Sequence, residues 1–225
     1  MTRVTTIAGG LRGGEAPRIV AALRLFRSLA KQKLMKTADV FLPVMSVALI
    51  YLVRVIELGT KRDTVPGPIR ERVTLRLFIL AGTLKVVGGT IEFWVRRRTL
   101  NGWTFGAGWI CALVSFVVRR KAIAALGEFW SLHVEIRENH QLVQTGPFRW
   151  VRHPTYLSMI LELASVGLIL DAPGALLAVS LLFVPALVMR LQLEEAALVE
   201  KFGDAYRIYQ RTTPALLPYK FPRAK

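Results

Sequence analysis

Apolar residues in this chain gather into blocks about as long as a bilayer is thick, and Lys and Arg gather between the blocks. About 20 consecutive apolar residues suffice for a helix to cross the hydrocarbon core. Inside lipid only a helix or a closed barrel satisfies its own backbone. Five blocks qualify as spanning candidates: about 38–57, 75–95, 103–118, 155–170 and 173–193. The expected fold is all-α, a polytopic transmembrane helix bundle of about five spans. Asp171-Ala172-Pro173-Gly174 is too short a connection to leave the interface, so the last two blocks form a helical hairpin. Arg119, Arg120 and Lys121 end the third block.

The net charge of +16 raises the question of nucleic acid. A nucleic-acid binder carries such charge on a soluble fold. Here the cations flank apolar runs, as membrane proteins arrange them against anionic headgroups. The expected partners are therefore membrane lipids and a lipophilic or prenylated substrate, with no nucleic acid. The oligomeric state stays open. Cys111 is the single cysteine, which excludes an intrachain disulfide and a cysteine metal site.

Three regions follow. Residues 1–37 read as a flexible tail (1–17, with no signal-peptide core) and a basic amphipathic helix over 18–36. Ile19, Leu23, Phe26 and Leu29 alternate there with Arg24, Arg27 and Lys31. Such a helix lies on a membrane surface, or caps a soluble face. Residues 38–120 hold the N-terminal spans, and 121–225 the region that could carry chemistry. In the second block Lys85 and Glu92 share a helix face and point into the bundle, as a structural pair or as part of a site.

The two segments that are neither span nor tail, 121–154 and 194–225, flank the hairpin, so folding brings them together. His133, His140 and His153 fall in or beside the first, at spacings that match no standard zinc pattern. Thr145-Gly146-Pro147 is a turn signal. Pro154 suits the first turn of the fourth span, which puts His153 at the cap of a helix whose N-terminus attracts carboxylates. An ordinary interfacial turn anchored by Arg and Trp is the alternative. Arg190, Glu194 and Glu195 stand where the fifth block leaves the membrane. Arg190 and Glu194 could form a simple helix salt bridge. Alternatively the Glu neutralises an ammonium or holds ribose hydroxyls, and the Arg clamps a carboxylate. Phe202-Gly203 reads as a helix end. Tyr206, Tyr209 and the run Thr213 to Pro218 then fold back as a cap.

These pieces resemble the isoprenylcysteine carboxyl methyltransferase family of integral membrane enzymes over roughly 124–220. The pieces are His140-Gln141-Leu142-Val143, Thr145-Gly146-Pro147-Phe148, Arg152-His153-Pro154-Thr155-Tyr156, Arg190 with Glu194-Glu195-x-x-Leu198, Phe202-Gly203-x-x-Tyr206-x-x-Tyr209, and Pro214-x-x-Leu217-Pro218. The resemblance implies an S-adenosyl-L-methionine-dependent O-methyltransferase with its cofactor site on the cytoplasmic face, formed around the C-terminal hairpin. It implies cofactor contacts from His133, His140, Gln141, Leu142, Val143, Phe148, His153, Pro154, Thr155, Tyr156 and Glu194, and a substrate carboxylate at Arg190. Phe148 stands where a Tyr is more usual, and Ser158 where a Gly is common. A carboxylate acceptor is already ionised and needs no base. A phenolic lipid would need one, for which Glu195 or a histidine is the candidate. The rival readings are an NADPH-dependent sterol-type membrane reductase and a non-enzymatic scaffold or transport subunit. The cytoplasmic placement of 119–153 and 190–225 puts the N-terminus outside. The Lys and Arg bias favours that topology by a small margin, and the basic N-terminal stretch opposes it.

Overall fold

A computed structural model describes residues 16–60, 73–96, 100–131 and 141–219. All regular structure among them is helical. The elements are α1 (Ala16–Gly59), α2 (Val73–Val95), α3 (Gly102–Leu126), α4 (Pro154–Ile169), α5 (Pro173–Phe202) and α6 (Asp204–Thr212), with short 3-10 turns at Gly127–Phe129 and Gly146–Arg149. The chain divides into two units at Leu42 and Pro43. The first contains the opening part of α1, so the stretch 18–36 expected to be an amphipathic helix is helical. Most of the expected tail, residues 1–15, lies outside the described residues. The second unit holds everything that follows from Pro43.

Thr37–Glu57, Val73–Val95 and Pro173–Phe202 are long and apolar enough to cross a membrane, and Pro154–Ile169 is apolar but shorter. Each of the five expected blocks coincides with a helix, while the length and composition of the described helices single out three as spans. The chain is an integral membrane protein. Its outer surface agrees: Leu52, Ile79, Ile110, Leu113, Leu181 and Val184 all stand exposed. A water-soluble fold rarely leaves so large an apolar surface uncovered.

Helix α3 lies against α4, and α2 against α5. The α3–α4 contact is possible because Gly108 has no side chain. A Cβ there would meet the Ile169 amide nitrogen and the Ser165 carbonyl oxygen, both at 2.9 Å. Small residues permit such backbone approach in membrane helices. Ser115 Oγ donates to the Ser158 carbonyl at 2.7 Å along the same seam, and Ser158 Oγ turns back on Thr155 O at 2.6 Å. Between α2, α4 and α5 the core is Phe78, Ala81, Tyr156, Leu163, Val179, Phe183, Ala186 and Leu187. Phe78 and Phe183 face each other with ring centroids 5.3 Å apart.

The hairpin turns as the sequence implies. Pro173 opens α5, Asp171 takes a positive φ of 46°, and Ala172 N–H donates to Gly167 O at 2.9 Å. Lys85 and Glu92 share α2 but do not pair with each other. Glu92 caps the start of α5, accepting from Gly174 N at 3.2 Å and Ala175 N at 2.5 Å, and pairs with Arg96 at 3.2 Å. A carboxylate at a helix N-terminus is favourable. Lys85 instead reaches Glu162 on α4, Nζ to Oε1 3.4 Å.

The Gly108 seam makes a direct test. Gly108→Ala is expected to lower the melting temperature of the detergent-solubilised protein, by overpacking on the order of 1–3 kcal/mol. Gly106→Ala on the same helix, where a Cβ meets nothing within 4 Å, should not lower it. Equal melting temperatures for Gly108→Ala and the parent protein would contradict the close α3–α4 approach.

Candidate active site

The site begins where the chain enters α4. Val151 to His153 lead into α4 without regular secondary structure, and Pro154 stands in the first turn of the helix, where its missing N–H costs no hydrogen bond. The returning segment after α6 pairs with this entry: Arg152 N–H donates to Pro214 O at 2.8 Å, and His153 N–H to Ala215 O at 3.0 Å. The Arg152 guanidinium then ties three elements together. Its Nε and Nη2 donate to Glu195 Oε1 at 2.9 and 2.6 Å, and its Nη1 to the carbonyls of Gln210 at 3.0 Å and Thr213 at 2.5 Å. Tyr209 reaches back from α6 to donate to Phe148 O at 2.5 Å. The expected cap, Tyr206 to Pro218, therefore closes over the region that begins at Phe148.

His153 is buried between two carboxylates. Its Nε2 lies 3.0 Å from Glu195 Oε1 and its Nδ1 3.7 Å from Glu194 Oε1. Its ring stacks on Tyr156 at 5.5 Å. Burial by itself lowers the imidazole pKa, but the hydrogen bonds and charges of Glu194 and Glu195 outweigh it and hold the group above its ordinary value. Tyr156 donates its hydroxyl proton to Glu194 and accepts from Arg190 Nε at 3.0 Å. Arg190 is buried, donates from Nη1 to Thr74 Oγ1 at 3.1 Å, and lies over the Phe78 ring at 5.7 Å. Burial raises the pKa of the Tyr206 and Tyr209 hydroxyls, so both stay protonated.

These groups face a cavity of about 460 Å³, within the range of small-ligand sites. Its lining includes Gln141, Leu142, Val143, Phe148, His153, Tyr156, Arg190 and Glu194, with Tyr206 and Tyr209 from α6. It also includes the apolar side chains Leu75, Phe78, Ile79, Met159, Leu163 and Phe183. Such a mixed lining would accommodate a ligand with a charged head and an apolar neighbour.

Of the residues singled out from sequence, Gln141, Leu142, Val143, Phe148, His153, Thr155, Tyr156, Arg190 and Glu194 all line the cavity. His133 and His140 lie outside the described residues. Pro154 is buried and shapes the helix start without lining the space. Glu195, weighed as a base, is absent from the lining as well. It is engaged by Arg152, His153 and Gln210 Nε2, the last at 3.1 Å, and so acts on the site through His153 and Arg152. Arg190 and Glu194 are bridged by Tyr156. Sequence reading missed Arg54, Arg119 and Glu162 as lining residues. A carboxylate inside the fourth apolar block was a signal in itself, since charge within a span faces the bundle interior.

Residues 108–200 match the model of a family described as the isoprenylcysteine carboxyl methyltransferase (ICMT) family. A relative from Bacillus subtilis, named uncharacterized protein YpbQ, is 29% identical over 109 residues, 48% of this chain and 64% of that one. The protein-S-isoprenylcysteine O-methyltransferase of Dictyostelium discoideum is 27% identical over 136 residues, 57% of this chain and 56% of that one. A solved structure of the eukaryotic intramembrane Ras methyltransferase ICMT superposes with a TM-score of 0.57 at 26% identity, covering 61% of this chain and 52% of that chain. The chain thus spans between about half and two thirds of the length of the proteins it matches. The family match takes in most of α3, all of α4 and nearly all of α5, and leaves α1 and α2 outside.

The buried imidazole predicts a pH dependence. With its folded-state pKa above the ordinary 6.5, His153 adds stability that is fully present below pH 6.5 and is lost as pH rises through the raised value. Melting temperature in detergent should fall over that interval, and His153→Gln should flatten the fall. A profile unchanged by the substitution would show that the imidazole does not carry this charge.

Proposed function

We propose that this chain, whose residues 108–200 match the model of the isoprenylcysteine carboxyl methyltransferase family, is a member of that family and an S-adenosylmethionine-dependent O-methyltransferase. It esterifies the carboxylate of a lipophilic, prenylcysteine-like acceptor at the cytoplasmic face of the membrane. The observation that carries this reading is a single cavity lined both by His153, Tyr156, Arg190 and Glu194 and by apolar side chains of α2, α4 and α5.

The residues fit such a donor. Tyr206 lines the cavity, and its buried hydroxyl, near Arg152, makes no well-formed hydrogen bond among the described residues, so a bound polar ligand could satisfy it. Glu194 offers a carboxylate to an ammonium or to ribose hydroxyls. Gln141 to Val143 line the cavity without regular secondary structure, a stretch whose backbone groups could contact an adenosyl moiety. When bound, S-adenosylmethionine supplies an electrophilic methyl group on a sulfonium.

The chain's own residues do the rest by placement. An acceptor carboxylate is ionised at neutral pH, so no base is required of Glu195 or of His153. Arg190, held by Tyr156 and Thr74, presents a fixed positive charge to the cavity. It would hold the acceptor oxygen in line, and alignment of this kind lowers a displacement barrier. The apolar lining residues would admit the acceptor's tail and exclude water.

The test uses purified protein in detergent with methyl-labelled donor and an S-prenylated cysteine. Label should appear as a base-labile methyl ester. Arg190→Lys, which loses the planar fork, should lower kcat about 100-fold with donor affinity unchanged. Glu194→Gln should raise the donor Kd about tenfold, since a charge-assisted contact is lost. No donor binding together with no ester would overturn the reading.

A further inference from the structure

Tyr156 stands between the two charges assigned above to different ligands, Arg190 for the acceptor and Glu194 for the donor. Its hydroxyl donates its proton to Glu194 Oε2 and accepts from Arg190 Nε at 3.0 Å. A hydroxyl carries one proton and two lone pairs, so this single oxygen serves both neighbours. Arg190 and Glu194 are four residues apart on α5 and share one face of it. Tyr156 reaches them from α4. Its ring is buried in the core with Phe78, Leu163 and Phe183 and stacks on His153, with centroids 5.5 Å apart. Apolar packing therefore fixes the ring and holds the hydroxyl at one point between guanidinium and carboxylate. All three residues line the cavity.

We infer that the Tyr156 hydroxyl is a spacer that keeps Arg190 and Glu194 from closing on each other, a positioning role that leaves each charge directed at its own ligand. This rests on the methyltransferase reading above. Arg and Glu at this spacing are ready ion-pair partners. Arg190 is buried, and inside a low-dielectric bundle such a pair is stronger than at a surface. Once closed, it would take the guanidinium from an acceptor carboxylate and the carboxylate from a donor ammonium. A neutral hydroxyl satisfies one atom of each without cancelling either charge. Thr74 does the same for Arg190 from α2, accepting from Nη1 at 3.1 Å. The Glu194 side chain keeps 32% of its surface exposed, and its other oxygen lies 3.7 Å from His153 Nδ1. Removing only the Tyr156 hydroxyl would cost Arg190 Nε and Glu194 Oε2 a partner at the same point. A buried polar group that loses its partner is costly, so the two would turn to each other.

The test removes the spacer and then one of the two charges it separates. Tyr156→Phe keeps the ring and its packing and deletes only the hydroxyl. S-farnesylcysteine and S-adenosylhomocysteine are titrated separately into the detergent-solubilised protein, and affinity is read from the ligand-dependent melting shift. Tyr156→Phe should bind both about tenfold more weakly, as each loses a charge-assisted contact. Deleting one charge then frees the other. Tyr156→Phe with Glu194→Gln should bind the farnesylated acid within about twofold of Glu194→Gln alone. Tyr156→Phe with Arg190→Gln should bind S-adenosylhomocysteine within about twofold of Arg190→Gln alone. A Tyr156→Phe protein that binds both ligands as the parent does overturns the inference. So does a loss that persists in both double variants, as a hydroxyl with a purely structural role would produce. If one double variant does not fold, the other decides. Restored affinities with no methyl ester formed by the parent would overturn the methyltransferase reading and leave the spacer standing. Ester formation without restoration would do the reverse.

Discussion

Arg152 divides one guanidinium between the end of α5 and the segment that follows α6, and the site depends on that junction. Glu195, Gln210 and Thr213 are all distant in sequence from Arg152, yet all accept from it. That junction adds side-chain contacts to the backbone pairing and the Tyr209–Phe148 bond that seat the cap, and it joins His153 and Gln210 in holding Glu195. With it, His153 is buried between the two acids and Tyr156 is aligned to bridge Glu194 and Arg190. The chain of contacts from Arg152 to Thr74 is continuous. It links the entry of α4 to the start of α2 through polar atoms alone.

A second constraint acts from the opposite end of the hairpin. Glu92 caps α5 and thereby sets α2 against it, while Gly108 lets α3 approach α4 at backbone distance. These contacts place the four helices around a space lined by both charged and apolar side chains. Charges buried between the helices complete the wall. Intramembrane pairs of this kind persist only when the surrounding atoms satisfy them. Here Glu162 is reached by Lys85 and Arg119, and Arg119 by Glu57.

Much of the candidate site was legible because its residues are consecutive. Pro154 in the first turn, His153 as the cap and the Gly203 helix end follow from local backbone rules. The apolar blocks likewise located the helices, although α1 begins well before its block and α3 and α5 run about two turns beyond theirs. Sequence could not tell that Lys85 would choose Glu162 rather than share a partner with Glu92, because both options satisfy the same helix face. It also could not tell that Glu195 would turn away from the cavity while Glu194 turned in. Adjacent residues on a helix differ by about 100° in direction, so only the neighbours decide which one faces the ligand. Arg119 read as the end of a span, since three cations in a row look like an interface anchor, yet its side chain is buried.

What the amino-acid order settled alone is the class of molecule and the register of its helices. Hydrophobic length, the punctuation of Pro and Gly, and the placement of cations are local properties, and each has a direct energetic meaning in lipid. What only the tertiary structure decided is which charges meet. Partner choice among Arg54, Lys85, Arg119, Glu57 and Glu162 is a matter of distance between separate helices, and electrostatic interaction inside a low-dielectric bundle depends on those distances far more than on the order of residues along the chain.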